Sequence, residues 1–442
     1  MKRLTKLALL TPLAAAMLPS FALADTSSEI AALRDRLEQL EAQVAQQKAT
    51  PAPATSNSSV SFGDTKFSFG GYVKVDALYS RFSDGSVAGN SSGRDFYVPS
   101  ATPISAGNGN VSSVFDMHAQ QTRFFFKTET PAGNGKSVKG YIEMDFQSPA
   151  RGSERVTNNY DPGLRHAFLT YDKWLIGQTW TTFQDLGALP ETVDFVGASD
   201  GTVFGRQPQV RYSTGNWQFS VENAETALAS RNTVAPVAPA TSPSLGAVSV
   251  ADQGSNAMPD LVARYTHKGD FGHISVAALA RQLKTSQNAA GQDETTEGYG
   301  ISLSGKYNLS SGDDIRYMAT YGSGIGRYVA LGTSGDAVVD ANGNLEAIDV
   351  AAGYVTYRHL WSDKLRSSIQ ASVLSIDNPD ILAPTAAPSD ANKTIYSGLT
   401  NIIYSVTPKL EIGAEYMHAN REVEDGRDGN LDRLQFMAKY SF

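Results

Sequence analysis

The sequence predicts an all-β protein, a 16-stranded antiparallel transmembrane β-barrel preceded by a short N-terminal α-helical coiled-coil segment. Three observations predict it. The chain opens with an export leader. From Thr65 onward apolar residues recur at every second position. The connections between these segments alternate between tight turns and long polar loops along the whole chain.

The leader is residues 1–24. Lys2, Arg3 and Lys6 give a basic start, Leu7 to Leu18 an apolar centre, and Ala22-Leu23-Ala24 a small-x-small cleavage site. Its apolar stretch is too short to cross a bilayer as a helix. Residues 25–48 form the coiled-coil oligomerisation segment. Ile30, Leu33, Leu37, Leu40 and Val44 alternate at spacings of three and four, which makes one apolar seam flanked by Glu29, Arg34, Glu38 and Glu41. So short a helix is marginal alone, so its seam needs a partner. The mixed seam residues do not choose between two and three helices. Residues 49–61 are a Pro/Ala/Ser-rich linker.

Residues 62–442 form the barrel domain. Phe67, Phe69, Gly71, Val73, Val75 and Ala77 alternate with polar residues at its start, and Leu434, Phe436, Ala438, Tyr440 and Phe442 do so at its end. Strands are expected at roughly 67–80, 118–129, 137–146, 163–171, 173–180, 205–214, 216–224, 259–268, 271–282, 294–307, 314–322, 347–359, 363–374, 393–405, 408–420 and 431–442. An apolar outer face with aromatic ends and a polar inner face describe a membrane barrel with a wet lumen. A soluble sandwich or a solenoid would lack the systematic alternation of loop lengths. Trp174, Trp180, Trp217 and Trp361 are expected in the aromatic girdles at the membrane surfaces rather than in a sugar-stacking track.

The charge and composition exclude several classes. The net charge is −8, and loss of the leader's three basic residues takes it to −11, so nucleic acid is not an expected partner. There is no cysteine, which removes thiolate chemistry and cysteine zinc sites. No His-Glu-x-x-His or Gly-x-Ser-x-Gly motif occurs, so no enzyme is expected. Gly322-Ser323-Gly324-Ile325-Gly326 ends a strand with no helix after it, which marks a loop and not a phosphate cradle. Asp340, Asn342, Asn344 and Glu346 carry calcium-type oxygens, but the spacing is wrong for a calcium loop. No cofactor or metal is expected.

A selective pore needs a constriction and charged groups facing it. The connection at about 181–204 is the expected constriction loop, with Asp185, Glu191, Asp194 and Asp200 as its acids and Gly187, Gly197 and Gly201 as its pivots. Period two turns Arg123, Lys127, Arg211, Arg264, Arg281 and Arg316 toward the lumen, together with Gln207, Gln209, Arg366 and Arg433. Arg206 joins the pore-lining candidates. Arg165 is a candidate of ambiguous direction, because Leu164-Arg165-His166-Ala167-Phe168-Leu169 does not alternate cleanly. Guanidinium forks accept both oxygens of a carboxylate, so an arginine cluster opposite loop acids favours anions. The competing reading for each arginine is an internal salt bridge, since Glu143, Asp145, Glu222, Glu411 and Glu415 also face inward.

Specific stretches add a family resemblance. They are Gly71-Tyr72-Val73-Lys74-Val75-Asp76-Ala77, Arg123-Phe124-Phe125-Phe126-Lys127-Thr128, and the block from Leu164 to Tyr212, which contains Trp174-Leu175-Ile176-Gly177-Gln178-Thr179-Trp180 and Phe204-Gly205-Arg206-Gln207-Pro208-Gln209-Val210-Arg211-Tyr212. With the order of leader, coiled coil, linker and barrel, the chain resembles the DcaP-like family of trimeric outer-membrane porins. The resemblance implies a homotrimer in the bacterial outer membrane, in contact with its lipids and lipopolysaccharide. It further implies a periplasmic coiled coil and one pore per subunit. The implied function is passive diffusion of small anionic solutes, dicarboxylates above all. A general, weakly selective or phosphate-type porin and a non-conducting surface binding protein are the other readings.

Overall fold

The computed structural model describes residues 59–442, apart from residues 90, 106–108, 148–151, 154–156, 158, 233–246, 254–255, 287–292 and 386. The leader, the coiled-coil segment and residues 49–58 of the linker therefore lie outside the described residues. Residues 59–61, placed at the end of the linker, join Phe62 in a short strand that pairs with Thr65–Ser68.

The wall strands are β1 (Thr65–Phe82), β2 (Ser112–His118), β3 (Arg123–Pro131), β4 (Ser137–Asp145), β5 (Gly163–Tyr171), β6 (Trp174–Trp180), β7 (Arg206–Thr214), β8 (Trp217–Glu222) and β9 (Asp260–Gly269). They continue as β10 (Gly272–Thr285), β11 (Glu294–Asn308), β12 (Asp314–Ser323), β13 (Asp349–Leu360), β14 (Leu365–Asp377), β15 (Asn392–Thr407), β16 (Leu410–Val423) and β17 (Asp428–Ser441). Each wall position pairs antiparallel with the next, and β17 returns to β1 in a register running from Tyr72↔Ser441 to Phe82↔Leu431. Closure leaves no sheet edge in the hydrocarbon, where unpaired backbone groups are most costly.

Seventeen strands make sixteen staves, because β2 and β3 share one. A single strand was expected over 118–129. Instead β2 pairs with Asp76–Phe82 and β3 with Lys66–Tyr72 of β1, and Ala119–Thr122 form a turn between them. Parity explains the break. Asp116 and His118 face inward on even numbers, whereas Arg123 faces inward on an odd one, and no regular strand satisfies both. Thr122 Oγ1 bridges the gap by accepting from the Lys74 amide at 3.2 Å and donating to the Lys74 carbonyl at 3.3 Å.

The outer face is apolar. Two tyrosine rings band it: Tyr299, Tyr321, Tyr396 and Tyr416 toward the long loops, and Tyr307, Tyr357, Tyr404 and Tyr440 toward the short turns, all exposed. Trp174, Trp217 and Trp361 are likewise exposed. Trp180 is not fully exposed; its ring packs against His166 and Phe204.

The largest apolar core lies inside the barrel. Met318, Val350, Tyr354, Leu374 and Ile395 of the inner wall pack with Phe183 and Val203 of the 181–204 connection and with Tyr328 and Val329 of the 324–348 loop. The inner face is thus polar only in part. On the long-loop side, Ala227–Arg231, Val248–Asp252, Ala337–Val339 and Leu345–Ala347 make a separate four-stranded sheet from two loops.

Candidate functional site

Residues 181–204 run along the inside of the wall. Thr182 donates its amide to Glu222 on β8 at 2.7 Å, and Arg264 on β9 donates to the Gln184 carbonyl. Asp185 is held by His273 on β10 at 2.8 Å and by Ser304 on β11 at 2.9 Å. Tyr354 on β13 donates to Ala188 O at 2.8 Å, and Arg316 on β12 to Leu189 O at 2.5 Å. Asn401 on β15 donates to Glu191 O at 2.9 Å, and Lys74 on β1 to Val193 O at 2.7 Å. The connection therefore meets the wall from β8 round to β1, with the lumen narrowed beside it.

Two wall features make this close approach work. Glu415 on β16 is buried and accepts the amides of Val193 and Asp194 at 2.8 and 3.1 Å, so two backbone donors of the loop are satisfied by one carboxylate. At Gly201 a Cβ would come within 2.2 Å of the Gly353 carbonyl on β13, so only glycine lets the loop backbone lie on the strand there. A short turn, Leu186–Ala188, is capped by Asp185, which accepts from Gly187 N at 3.0 Å.

The four loop acids have different surroundings. Burial raises Asp185, but His273, Ser304 and the nearby Arg264 outweigh it, and its carboxyl ends below the usual range. Asp194 accepts from Tyr97 N at 2.9 Å and from Gly197 N at 3.0 Å, which ties this loop to the 83–111 loop. Asp200 is fully buried against Ser397, and burial pushes its carboxyl up to about 6. Glu191 is paired with Arg366 at 2.7 Å and Arg358 at 3.6 Å.

The wall cations fall into two groups. In the first, cations are neutralised. Arg165 is buried and meets Glu143 at 2.8 Å and Asp145 at 2.6 Å. Its ambiguous direction has a structural cause: a register shift at Glu143/Met144 puts a bulge in β5, so Arg165 and His166 are both buried on the lumen side. Arg123 is near the same two acids at 3.5 and 3.4 Å. Arg281 is buried between Asp260 at 3.4 Å and Asp336 at 3.0 Å. Arg316 pairs with Asp314 at 2.8 Å.

In the second group, no carboxylate oxygen lies within salt-bridge distance among the described residues. Arg211 donates to Gln209 Oε1 at 3.0 Å and to Trp180 O at 2.5 Å. Arg264 donates to the Gln184 carbonyl and to Gln218. Arg206 rests over the Trp180 ring at 5.0 Å and the Phe204 ring at 6.0 Å. Lys127 is exposed and sits over Phe125 at 4.4 Å and Tyr141 at 5.6 Å. Arg211 pairs across to Ser220, and Gln218 of the same strand pairs across to Arg264. Two guanidinium groups with neutral hydrogen-bond partners thus stand on β7 and β9, with only β8 between them, beside the root of the loop.

A cavity of about 280 Å³ lies against the other end of the loop, lined by Tyr72, Arg123, Glu191, Arg366, Glu411 and Lys439. Its lining sets four cations, Lys74, Arg123, Arg366 and Lys439, against three acids, Glu191, Asp194 and Glu411, with Arg366 between Glu191 and Glu411 at 2.7 and 2.5 Å. Arg358 was absent from the sequence candidates, although period two on β13 places it opposite Tyr357 and hence inside. It joins Asp314 at 2.6 Å to Glu191. In the 340–344 turn, Asp340 Oδ1 accepts the amides of Asn342 and Asn344 at 2.8 Å each and Oδ2 accepts Asn344 Nδ2 at 3.0 Å, as a turn requires.

A family model, DcaP outer membrane protein, matches residues 34–442. The chain belongs to the DcaP outer membrane protein family. Among solved structures, the outer membrane channel DcaP of Acinetobacter baumannii is similar with a TM-score of 0.68 and 26% identity, over 86% of this chain and 99% of that one. The anion-selective porin from Comamonas acidovorans matches at a TM-score of 0.50 with 8% identity, over 86% of this chain and 100% of that one. OmpT of Vibrio cholerae matches at 0.49 with 11% identity, over 87% and 100%. No curated protein matches the chain at a significant level. The protein is an outer-membrane channel of the porin type, and its family and structural neighbours are channels, not enzymes.

Proposed function

We propose that this DcaP family member is a homotrimeric porin through which small anionic solutes, dicarboxylates foremost, diffuse passively. One observation carries the anion preference: Arg211 and Arg264 face the lumen with neutral partners only. A guanidinium held by carbonyl oxygens keeps its full charge and a fixed orientation. Two strand spacings across the sheet and a two-residue offset along it set the two backbone positions about 12 Å apart. A solute with two carboxylates can engage both forks, whereas a monocarboxylate engages one. The neighbouring Asp185 and Glu222 act on these cations electrostatically but form no salt bridge with them among the described residues.

Planar-bilayer recordings test this. The native channel is expected to prefer anions, and dicarboxylates should interrupt its current more than monocarboxylates do. Arg211→Ala with Arg264→Ala should move the reversal potential toward cations and abolish the interruptions. Cation preference in the native channel, or an unchanged double variant, would overturn the proposal. The apolar core between loops and wall supports a second reading, a barrel too filled to conduct that binds ligands at its outer mouth. Absence of conductance in a correctly inserted protein would select it.

A further inference from the structure

We infer that Arg358 and Arg366 form a second carboxylate subsite in the lumen, filled by the Glu191 side chain, and that a dicarboxylate solute takes the subsite by displacing Glu191. This rests on the anion preference proposed above and adds a site on β13 and β14, apart from Arg211 on β7 and Arg264 on β9.

Glu191 is unlike the other acids of the loop. Asp185 accepts the Gly187 amide at 3.0 Å, Asp194 accepts the amides of Tyr97, Val196 and Gly197, and Asp200 is buried against the Ser397 hydroxyl. Those carboxylates satisfy donors of the folded loop and of its supports. The Glu191 carboxylate meets only the guanidinium groups of Arg366 and Arg358 among the described residues, and its side chain is 28% exposed.

The loop does not need that carboxylate to stay in place. At the same residue, Asn401 donates to the Glu191 carbonyl at 2.9 Å. On either side, Arg316 holds the Leu189 carbonyl, and Glu415 and Lys74 hold Val193. The side chain can therefore rotate away while the backbone keeps its position. Ion pairs open to solvent add little to stability, so the fold alone leaves this one unexplained.

Glu191 also fits the two arginines incompletely. One oxygen, Oε1, lies 2.7 Å from both Nε and Nη2 of Arg366. The other, Oε2, is 3.6 Å from Arg358 and accepts no hydrogen bond, and Arg358 Nε donates none among the described residues. A guanidinium fork takes two carboxylate oxygens in parallel. A carboxylate free of the loop can adopt that geometry, which Glu191, tethered at its backbone, does not.

Charge sets the class of anion. Arg316, Arg358, Arg366 and Lys439 form one chain of ion pairs with Asp314, Glu191 and Glu411. With the Glu191 carboxylate turned away, four cations face two acids. That excess of two positive charges matches a dianion, and chloride leaves half of it unmet. Exchange also spares the cost of baring buried charge, because one carboxylate replaces another on the same donors. A solute held in competition with Glu191 is bound well enough to enter and weakly enough to leave, as conduction requires.

Succinate is the probe. Isothermal titration of the full chain in detergent measures its affinity for the native protein and for Glu191→Gln, and thermal midpoints report on the fold. Glu191→Gln is expected to bind succinate about ten-fold more tightly and to keep the native midpoint. Adding Arg358→Gln and Arg366→Gln should abolish the gain. Glu191→Gln placed on the Arg211→Ala, Arg264→Ala background should restore binding to a protein that has lost its first site. That arm separates the two readings. Binding left unchanged by Arg211→Ala with Arg264→Ala overturns the first site alone, whereas native affinity in Glu191→Gln overturns the second alone. A lower midpoint with unchanged affinity would make Glu191 a loop anchor and overturn the exchange. If Glu191→Gln does not fold, Glu191→Ala is read in the same way.

Discussion

The wall from β10 to β17 and the wall from β4 to β8 enclose one lumen but treat it in opposite ways. The first is tall, and much of its inner face is apolar and buried under the 181–204 connection, as at Met318, Val350 and Leu374. The second is low and carries charge inward, as at Arg165, Glu143 and Arg211. The difference teaches that a porin wall can serve as a support or as a contact surface. The tall side fixes where the loop lies, and the low side is one that the proposed solutes would meet.

Breaking the support side should have the largest effect. Glu415→Leu strands the amides of Val193 and Asp194 and leaves Asn401 Nδ2 with Glu191 O as its one acceptor among the described residues. Each unpaired buried donor costs about 1–3 kcal/mol, so the loop should leave the wall. Single-channel conductance is then expected to rise and become noisy. On the contact side, Arg165→Leu leaves Glu143 and Asp145 buried with only the more distant Arg123 beside them. Removing one partner of a buried pair costs about 3–5 kcal/mol, which should appear as a lower urea midpoint with little change in loop position.

Asp200 sharpens the comparison through pH. Its carboxyl is pushed up to about 6 in the folded protein by burial. Between its ordinary range and that value the unfolded chain has lost the proton while the folded chain retains it. Stability should therefore fall as pH rises from about 4 to about 6 and stay lower above that. Asp200→Asn removes the penalty and should stabilise the protein at pH 8 by up to about 3 kcal/mol, with no gain at pH 3.5. Thermal midpoints at both pH values check it. The smallest effect is expected from Lys127→Ala. This exposed lumen cation should shift the reversal potential slightly toward cations and leave the thermal midpoint unchanged.

Much of the fold was legible because period two and the loop-length alternation are local. The last strand, expected at 431–442, forms at Asp428–Ser441, and the third tight turn, at 215 and 216, is where it was expected. The second stave was misread because one parity error is hidden by three polar residues, Gln120, Gln121 and Thr122, after Ala119. Arg165 was unreadable for a related reason: a bulge shifts register through a partner strand that the sequence does not name. Trp180 was placed with the girdle, and only the fold brings His166 and Phe204 to it.

The sequence by itself determined the barrel, because alternating faces and closure follow from the pleat and from the cost of bare backbone in lipid. It also determined which arginines stand on inward-numbered positions of the regular strands, Arg165 at the bulge excepted. Only the tertiary structure decided which of them are neutralised. Arg281 meets Asp336 across fifty-five residues of chain, while Arg211 meets Gln209 two residues away. Pairing depends on which distant strands and loops share a depth in the barrel, and residue spacing along one strand carries no information about that.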